Sequence, residues 1–159
     1  MRSVRTLMLT LPVLLWLGAP VQATETSTNV EAAIIARCVE EKGLVYPAMA
    51  CFGEVMELCV GDQTKSNHMI YCAVQEYMVW VQRLNTAYEE IMKVANTDAT
   101  ASLKRAQRAW DEFRADTCSA TALLLTDGTQ SSLAMAVCMG NQTAVRSLQL
   151  EQFLIEAEI

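Results

Sequence analysis

The six cysteines of this 159-residue chain are the residues whose type and spacing indicate chemistry most clearly. An even number of cysteines in a small exported domain indicates disulfides, because thiols oxidise outside the cytosol. Each consecutive pair of cysteines, first with second, third with fourth and fifth with sixth, brackets a helix-breaking stretch. Twelve, twelve and nineteen residues lie between the members of these pairs. Although six cysteines allow 15 pairings, this spacing predicts three local bridges: Cys38–Cys51, Cys59–Cys72 and Cys118–Cys138.

Other residues offer little for catalysis or metal binding. His68 is the single histidine, no C-x-x-C motif occurs, and a zinc site needs several converging ligands. A serine, cysteine or threonine nucleophile usually needs a base, and His68 lies near a predicted helix start with no G-x-S-x-G motif nearby. The adjacent carboxylates Glu40-Glu41 and Glu89-Glu90 point to different helix faces. The methionines are scattered and are typical of core filling. We therefore expect no metal, no cofactor and no enzymatic activity.

The position of Arg114, one helical turn after Trp110, allows two interpretations of its role. It could clamp a ligand, or it could stack on the aromatic ring and bond to helix-end carbonyls. We favour the second, since arginines beside aromatic side chains are common in protein structures.

The N-terminal residues predict export. Arg2 and Arg5 precede an apolar run from Thr6 to Ala19, and Ala23 ends a stretch suited to signal peptidase. Residues 1–23 are thus predicted to be a cleaved signal peptide, which places the protein in the periplasm or outside the cell. No later stretch approaches the roughly 20 apolar residues that a membrane-spanning helix needs.

Removal of Arg2 and Arg5 changes the net charge from −6 to −8, with ten basic and eighteen acidic residues left. An acidic domain is a poor binder of nucleic acid phosphates but attracts basic proteins. Acidity also serves solubility alone.

The scarcity of glycine and proline after residue 23 predicts an all-α fold. A capping-box pattern at Thr28 and Glu31 should start the first helix. Five helices are expected. The first runs to about Lys42 and the second from Pro47 to near Val60, the third starts near Ser66 or Asn67 and stops at a break at 96–98, the fourth follows that break and ends at 126–129, and the fifth runs from about Ser131 almost to the end. They should form one small bundle stapled by the disulfides, with residues 24–66 as a cysteine-containing helical hairpin extension and residues 67–159 as the main unit.

The segment between Cys72 and Arg146 carries a recognisable set of residues. They are Glu76, Trp80, Leu84, Asn85 and Tyr88, then Gln107, Trp110, Phe113, Arg114, Cys118 and Cys138, and finally Arg146. This pattern resembles the LprI-type lysozyme inhibitor family, whose members carry a "C…E…W…LN..Y" helix and an "AQRAW..[YF]RD..C" helix. The chain departs from it where Ala115 replaces the aspartate after the arginine and where Asp127-Gly128 replaces a Gly-Gly turn.

The resemblance implies a protein that binds lysozyme in the bacterial envelope and blocks its muramidase action. Its family-motif residues would be mainly structural. A contact to the partner is expected at Asp127, Gly128 and Thr129, because a turn on a stapled scaffold is ordered and exposed. The alternative is a non-catalytic periplasmic structural or stress protein without inhibitory activity.

Overall fold

The computed structural model describes residues 23–43 and 47–157, with side chains from Asn29 to Gly43 and from Ala48 onward. The predicted signal peptide thus lies outside the described residues, apart from Ala23. The described chain forms five α-helices and one 3-10 helix, with no strand among these residues. The elements are α1 (Ala23–Lys42), the 3-10 helix (Pro47–Cys51), α2 (Glu54–Val60), α3 (Ser66–Val94), α4 (Thr97–Leu123) and α5 (Gly128–Ala157). The predicted all-α class and helix number are confirmed.

Three predicted helix bounds were wrong, each for a local reason. Helix α1 already includes Ala23, so Thr28 lies within the helix and not at its start. The second predicted helix is divided, because Gly53 adopts a left-handed conformation with φ of 96° between the 3-10 helix and α2. Helix α5 begins at Gly128, about three residues earlier than predicted, since Asp127 Oδ1 accepts hydrogen bonds from the Thr129 and Gln130 amides.

All three predicted disulfides are present: Cys38–Cys51, Cys59–Cys72 and Cys118–Cys138. They join α1 to the 3-10 helix, α2 to α3, and α4 to α5. Each closes a loop of 13 or 20 residues, which stabilises the folded state by about 3 kcal/mol in the chain-entropy model.

The core consists of two clusters along α3 and α5, which have the most extensive contact in the molecule. The first gathers side chains from α1, the 3-10 helix and α2 around the fully buried Trp80 and Leu148. The second contains Leu84, Ile91 and Leu150, with Trp110 of α4 packed on it as a partly buried side chain.

Helix α4 is held mainly by α5. Its single fully buried residue is Cys118. Because α3 and α4 scarcely approach each other beyond their short connection, a groove remains between them. None of the described helices is long and apolar enough to cross a membrane.

Candidate functional site

The family-motif residues Glu76 and Trp80 anchor the N-terminal part of the chain to α3. The buried Glu76 carboxylate accepts hydrogen bonds from the amides of Gly53 (2.6 Å) and Met56 (2.8 Å). Its Oε1 also accepts one from Trp80 Nε1 at 3.2 Å. A carboxylate is well suited here, because the first amides of α2 have no acceptor within that helix. This pair therefore has a structural role.

Most of the other motif residues meet in the groove between α3 and α4, which has Thr143 of α5 in its lining and a volume of about 330 Å³. Leu84, Asn85 and Tyr88 come from α3, where they recur at helical spacing on one face. The α4 side of the groove consists of Lys104, Gln107, Arg108, Trp110, Asp111 and Arg114. Phe113 does not join them, and its side chain is exposed.

Arg114 is held in place at this groove by three neighbours. Its guanidinium lies 4.5 Å from the centroid of the Trp110 ring. It donates to Thr143 Oγ1 at 3.0 Å and to Asp111 Oδ1 at 3.2 Å. The expected stacking on an aromatic ring is confirmed, but its polar partners are side chains and not helix-end carbonyls. Asp111, one turn earlier, supplies the carboxylate that Ala115 cannot.

The groove is positively charged, although the chain is acidic. Lys104, Arg108 and Arg114 line it, and Asp111 is the one acidic residue in its lining. Arg146 lies beside it and donates from Nε to Gln107 Oε1 at 3.1 Å. Burial lowers the pKa of the Arg146 guanidinium, and the nearby Asp111 carboxylate opposes that shift. Arginine remains charged at neutral pH nevertheless.

Only Arg114 among these cations is ion-paired in the described part of the chain, through Asp111. Four cationic groups therefore share one carboxylate. Such an excess of cations in one groove raises the local positive potential and attracts an anionic group, although Lys104, Arg108 and Asp111 are exposed to solvent.

The α4–α5 tip, which we define as residues 123–129, is the second exposed feature. Leu123 and Leu124 are 80 % and 84 % exposed, the highest values among the large apolar side chains of the described residues. The tip is nevertheless ordered: Asp127 caps α5, and Ser131 Oγ donates to the carbonyl of Ala122 at 2.9 Å. Asp127, Gly128 and Thr129 are all exposed there.

A third cluster brings His68 next to the Cys59–Cys72 disulfide, with 3.6 Å between His68 Nε2 and Cys72 Sγ. His68 Nε2 also lies 3.1 Å from the carbonyl oxygen of Cys59. Both sulfurs are bonded to each other, so neither is a thiolate able to bind a metal ion.

Sequence reasoning overlooked several groove and tip residues. Gln107 and Arg108 follow Lys104 at spacings of three and four, and Arg114 lies two turns after Gln107 on the same face of α4, a pattern that the sequence offered. The run of three leucines shortly before Asp127 could also be found in the sequence, although its exposure could not. Thr143 was not predictable, because its role depends on how α5 packs beside α4.

Comparison with known proteins agrees with the motif. A family model described as lysozyme inhibitor LprI matches residues 59–150, which include both cysteines of the second disulfide. No curated protein and no solved structure matches the chain. Because the family match covers more than half of the 159 residues, the chain belongs to the LprI family of lysozyme inhibitors.

Proposed function

We propose that this protein is an exported, non-catalytic inhibitor that binds lysozyme in the bacterial envelope and blocks its muramidase activity. The single observation that carries this proposal is the family match over residues 59–150. The predicted signal peptide and the three disulfides support an oxidising compartment outside the cytosol. The net charge, −6 in the full chain and −8 after the expected loss of Arg2 and Arg5, favours association with a basic lysozyme.

We further propose that the α4–α5 tip makes the contact. Two leucines project from it into solvent, and exposed apolar side chains that are clustered on an ordered scaffold are typical of binding surfaces. Asp116 and Asp127 are the only charged residues between 115 and 145. The tip is therefore apolar with an acidic surround, which complements the cleft of a basic protein.

The Cys118–Cys138 bridge lies at the base of this hairpin. It reduces the conformational entropy that the tip would lose on binding, because the two helix ends are already fixed together. Asp127 has a double role, since its carboxylate is exposed while Oδ1 caps α5.

A muramidase assay with two matched leucine variants tests the contact. Leu124→Ser changes the tip, and Leu58→Ser changes an exposed leucine (65 %) on α2. Neither substitution opens a buried cavity, so both proteins should fold. We expect Leu124→Ser to weaken inhibition by about tenfold or more, as loss of a central interface anchor does. Leu58→Ser should inhibit like the parent protein.

Equal inhibition by the two variants would place the contact elsewhere. Absence of inhibition by the parent protein against any lysozyme type would instead favour the non-inhibitory envelope protein.

A further inference from the structure

We propose that the groove between α3 and α4 is a binding site for a small anionic saccharide, separate from the lysozyme contact. Four of the ten basic residues expected in the exported chain, namely Lys104, Arg108, Arg114 and Arg146, are at or beside this groove. Asp111 is their single acidic neighbour in the lining. Concentrating cations at one place in a chain whose net charge is −6, and −8 after the expected signal removal, gives this site an affinity for anions that the rest of the surface lacks.

The other lining residues specify a ligand with hydroxyl groups and an apolar ring face. Asn85 and Gln107 each carry an amide that donates and accepts hydrogen bonds. Tyr77 and Tyr88 add partly buried aromatic surface, against which the C–H groups of a sugar ring can pack, whereas the Trp110 ring is already stacked by Arg114. Lysine and arginine bind carboxylate or phosphate through charge-assisted hydrogen bonds. Together these groups match a sugar that bears an acidic substituent.

The size and order of the groove agree with such a ligand. Its volume of about 330 Å³ lies within the range of about 300–1,000 Å³ that is usual for small-molecule sites. Arg114 is fixed by Thr143, Asp111 and the Trp110 ring. A guanidinium that is already ordered loses little entropy when a ligand binds, which favours affinity.

The charge of this groove is opposite to that of the proposed inhibitory surface, so the two sites attract different ligands. A basic lysozyme is repelled by Lys104 and Arg108, whereas a long polyanion such as nucleic acid is repelled by the acidic chain as a whole. A small anion avoids both penalties. The inference therefore does not rest on the proposed lysozyme binding.

Titration of the exported, oxidised protein with three matched amino sugars tests the proposal. N-acetylglucosamine is neutral, N-acetylmuramic acid adds a carboxylate, and N-acetylglucosamine 6-phosphate adds a phosphate. Amide chemical shifts report on the groove, as does tryptophan fluorescence in a Trp80→Phe background, in which Trp110 is the one tryptophan after residue 23. We expect at least one anionic sugar to bind about tenfold more tightly than the neutral sugar, with shifts at Asn85, Gln107 and Arg108. The ranking of the two acids identifies the preferred anionic group.

Two arginine variants on neighbouring turns of α4 supply the matched control. Arg108→Gln removes a charge from the groove, while Arg105→Gln removes one that lies outside its lining, where Arg105 donates to Ser102 Oγ at 3.0 Å. Both residues are exposed. Arg108→Gln should weaken binding of the anionic sugar by about tenfold, and Arg105→Gln by less than about twofold. Muramidase inhibition by Arg108→Gln should equal that of the parent protein.

Three results would overturn the proposal. They are equal affinity for the charged and neutral sugars, equal loss of affinity in the two arginine variants, and tighter binding of a poly-glutamate peptide than of either anionic sugar. If the parent protein inhibits no lysozyme, the sugar titration still tests this groove. The two proposals can therefore fail independently of each other.

Discussion

At the scale of single residues, the family-motif residue Glu76 has a structural role, because its carboxylate joins α2 to α3. Its carboxylate is buried, yet it serves two amides at the start of α2 and the Trp80 indole. The sequence indicated that Glu76 and Trp80 lie one turn apart on α3 but not that the partner would be α2. In that contact the Gly53 amide donates to Glu76, and Gly53 precedes α2 in a left-handed conformation that favours glycine.

Replacement of Glu76 by Gln tests this role. The new amide nitrogen would face a donor where a carboxylate oxygen now accepts, so at least one buried hydrogen bond is lost. We expect the free energy of unfolding to fall by about 1.5–3 kcal/mol, the range for a hydrogen bond to a charged group. Denaturant unfolding measures this change.

Glu89→Gln is the matched control, since Glu89 is exposed on the same helix. Its stability should remain within about 0.5 kcal/mol of the parent value. If Glu76→Gln were as stable as Glu89→Gln, the carboxylate would not be what holds α2 on α3.

At the scale of the elements, the sequence predicted the number and approximate positions of the helices, but it did not predict how α4 packs on the rest of the bundle. The apolar stripe of α3 and the breaks at Gly43, Gly61 and Asn96 were informative because they depend on local spacing and capping. The stripe of α4 gave no hint that its residues would be only partly buried. Leu103 and Trp110 pack on the second cluster from one side, and the other side of the face opens to the groove.

Helix α4 should consequently depend on its disulfide more than the other helices do. In Cys118→Ala/Cys138→Ala, we expect global stability to fall by about 3 kcal/mol through the added entropy of the unfolded chain. Amide hydrogen exchange should show protection lost first in α4, while α3 keeps the protection of the core.

The double variant Cys38→Ala/Cys51→Ala is the comparison for this experiment. Its effect should fall on α1 and the 3-10 helix, with α4 protected in proportion to the global change alone. Preferential exposure of α4 amides in that second variant, and not in the first, would refute the dependence on Cys118–Cys138.

At the scale of the whole molecule, charge is distributed unevenly over one disulfide-stapled bundle. The cations concentrate on the groove side of α4, whereas residues 115–145 carry acidic charges only. The overall acidity and the family motif were evident from the sequence, and both led to lysozyme as the expected partner. The cationic groove was not evident, because it requires α3 and α4 to stand apart with α5 beneath them.

The most direct test of the central proposal is a calorimetric titration of the oxidised protein, produced without residues 1–23, into a basic lysozyme at two salt concentrations, with muramidase activity measured in parallel. We expect saturable binding with activity lost in proportion to the bound fraction, and weaker binding at high salt because ions screen the acidic surface. No heat and no inhibition with any lysozyme, or inhibition that is unchanged by salt, would contradict the account of an acidic inhibitor that recognises a basic enzyme.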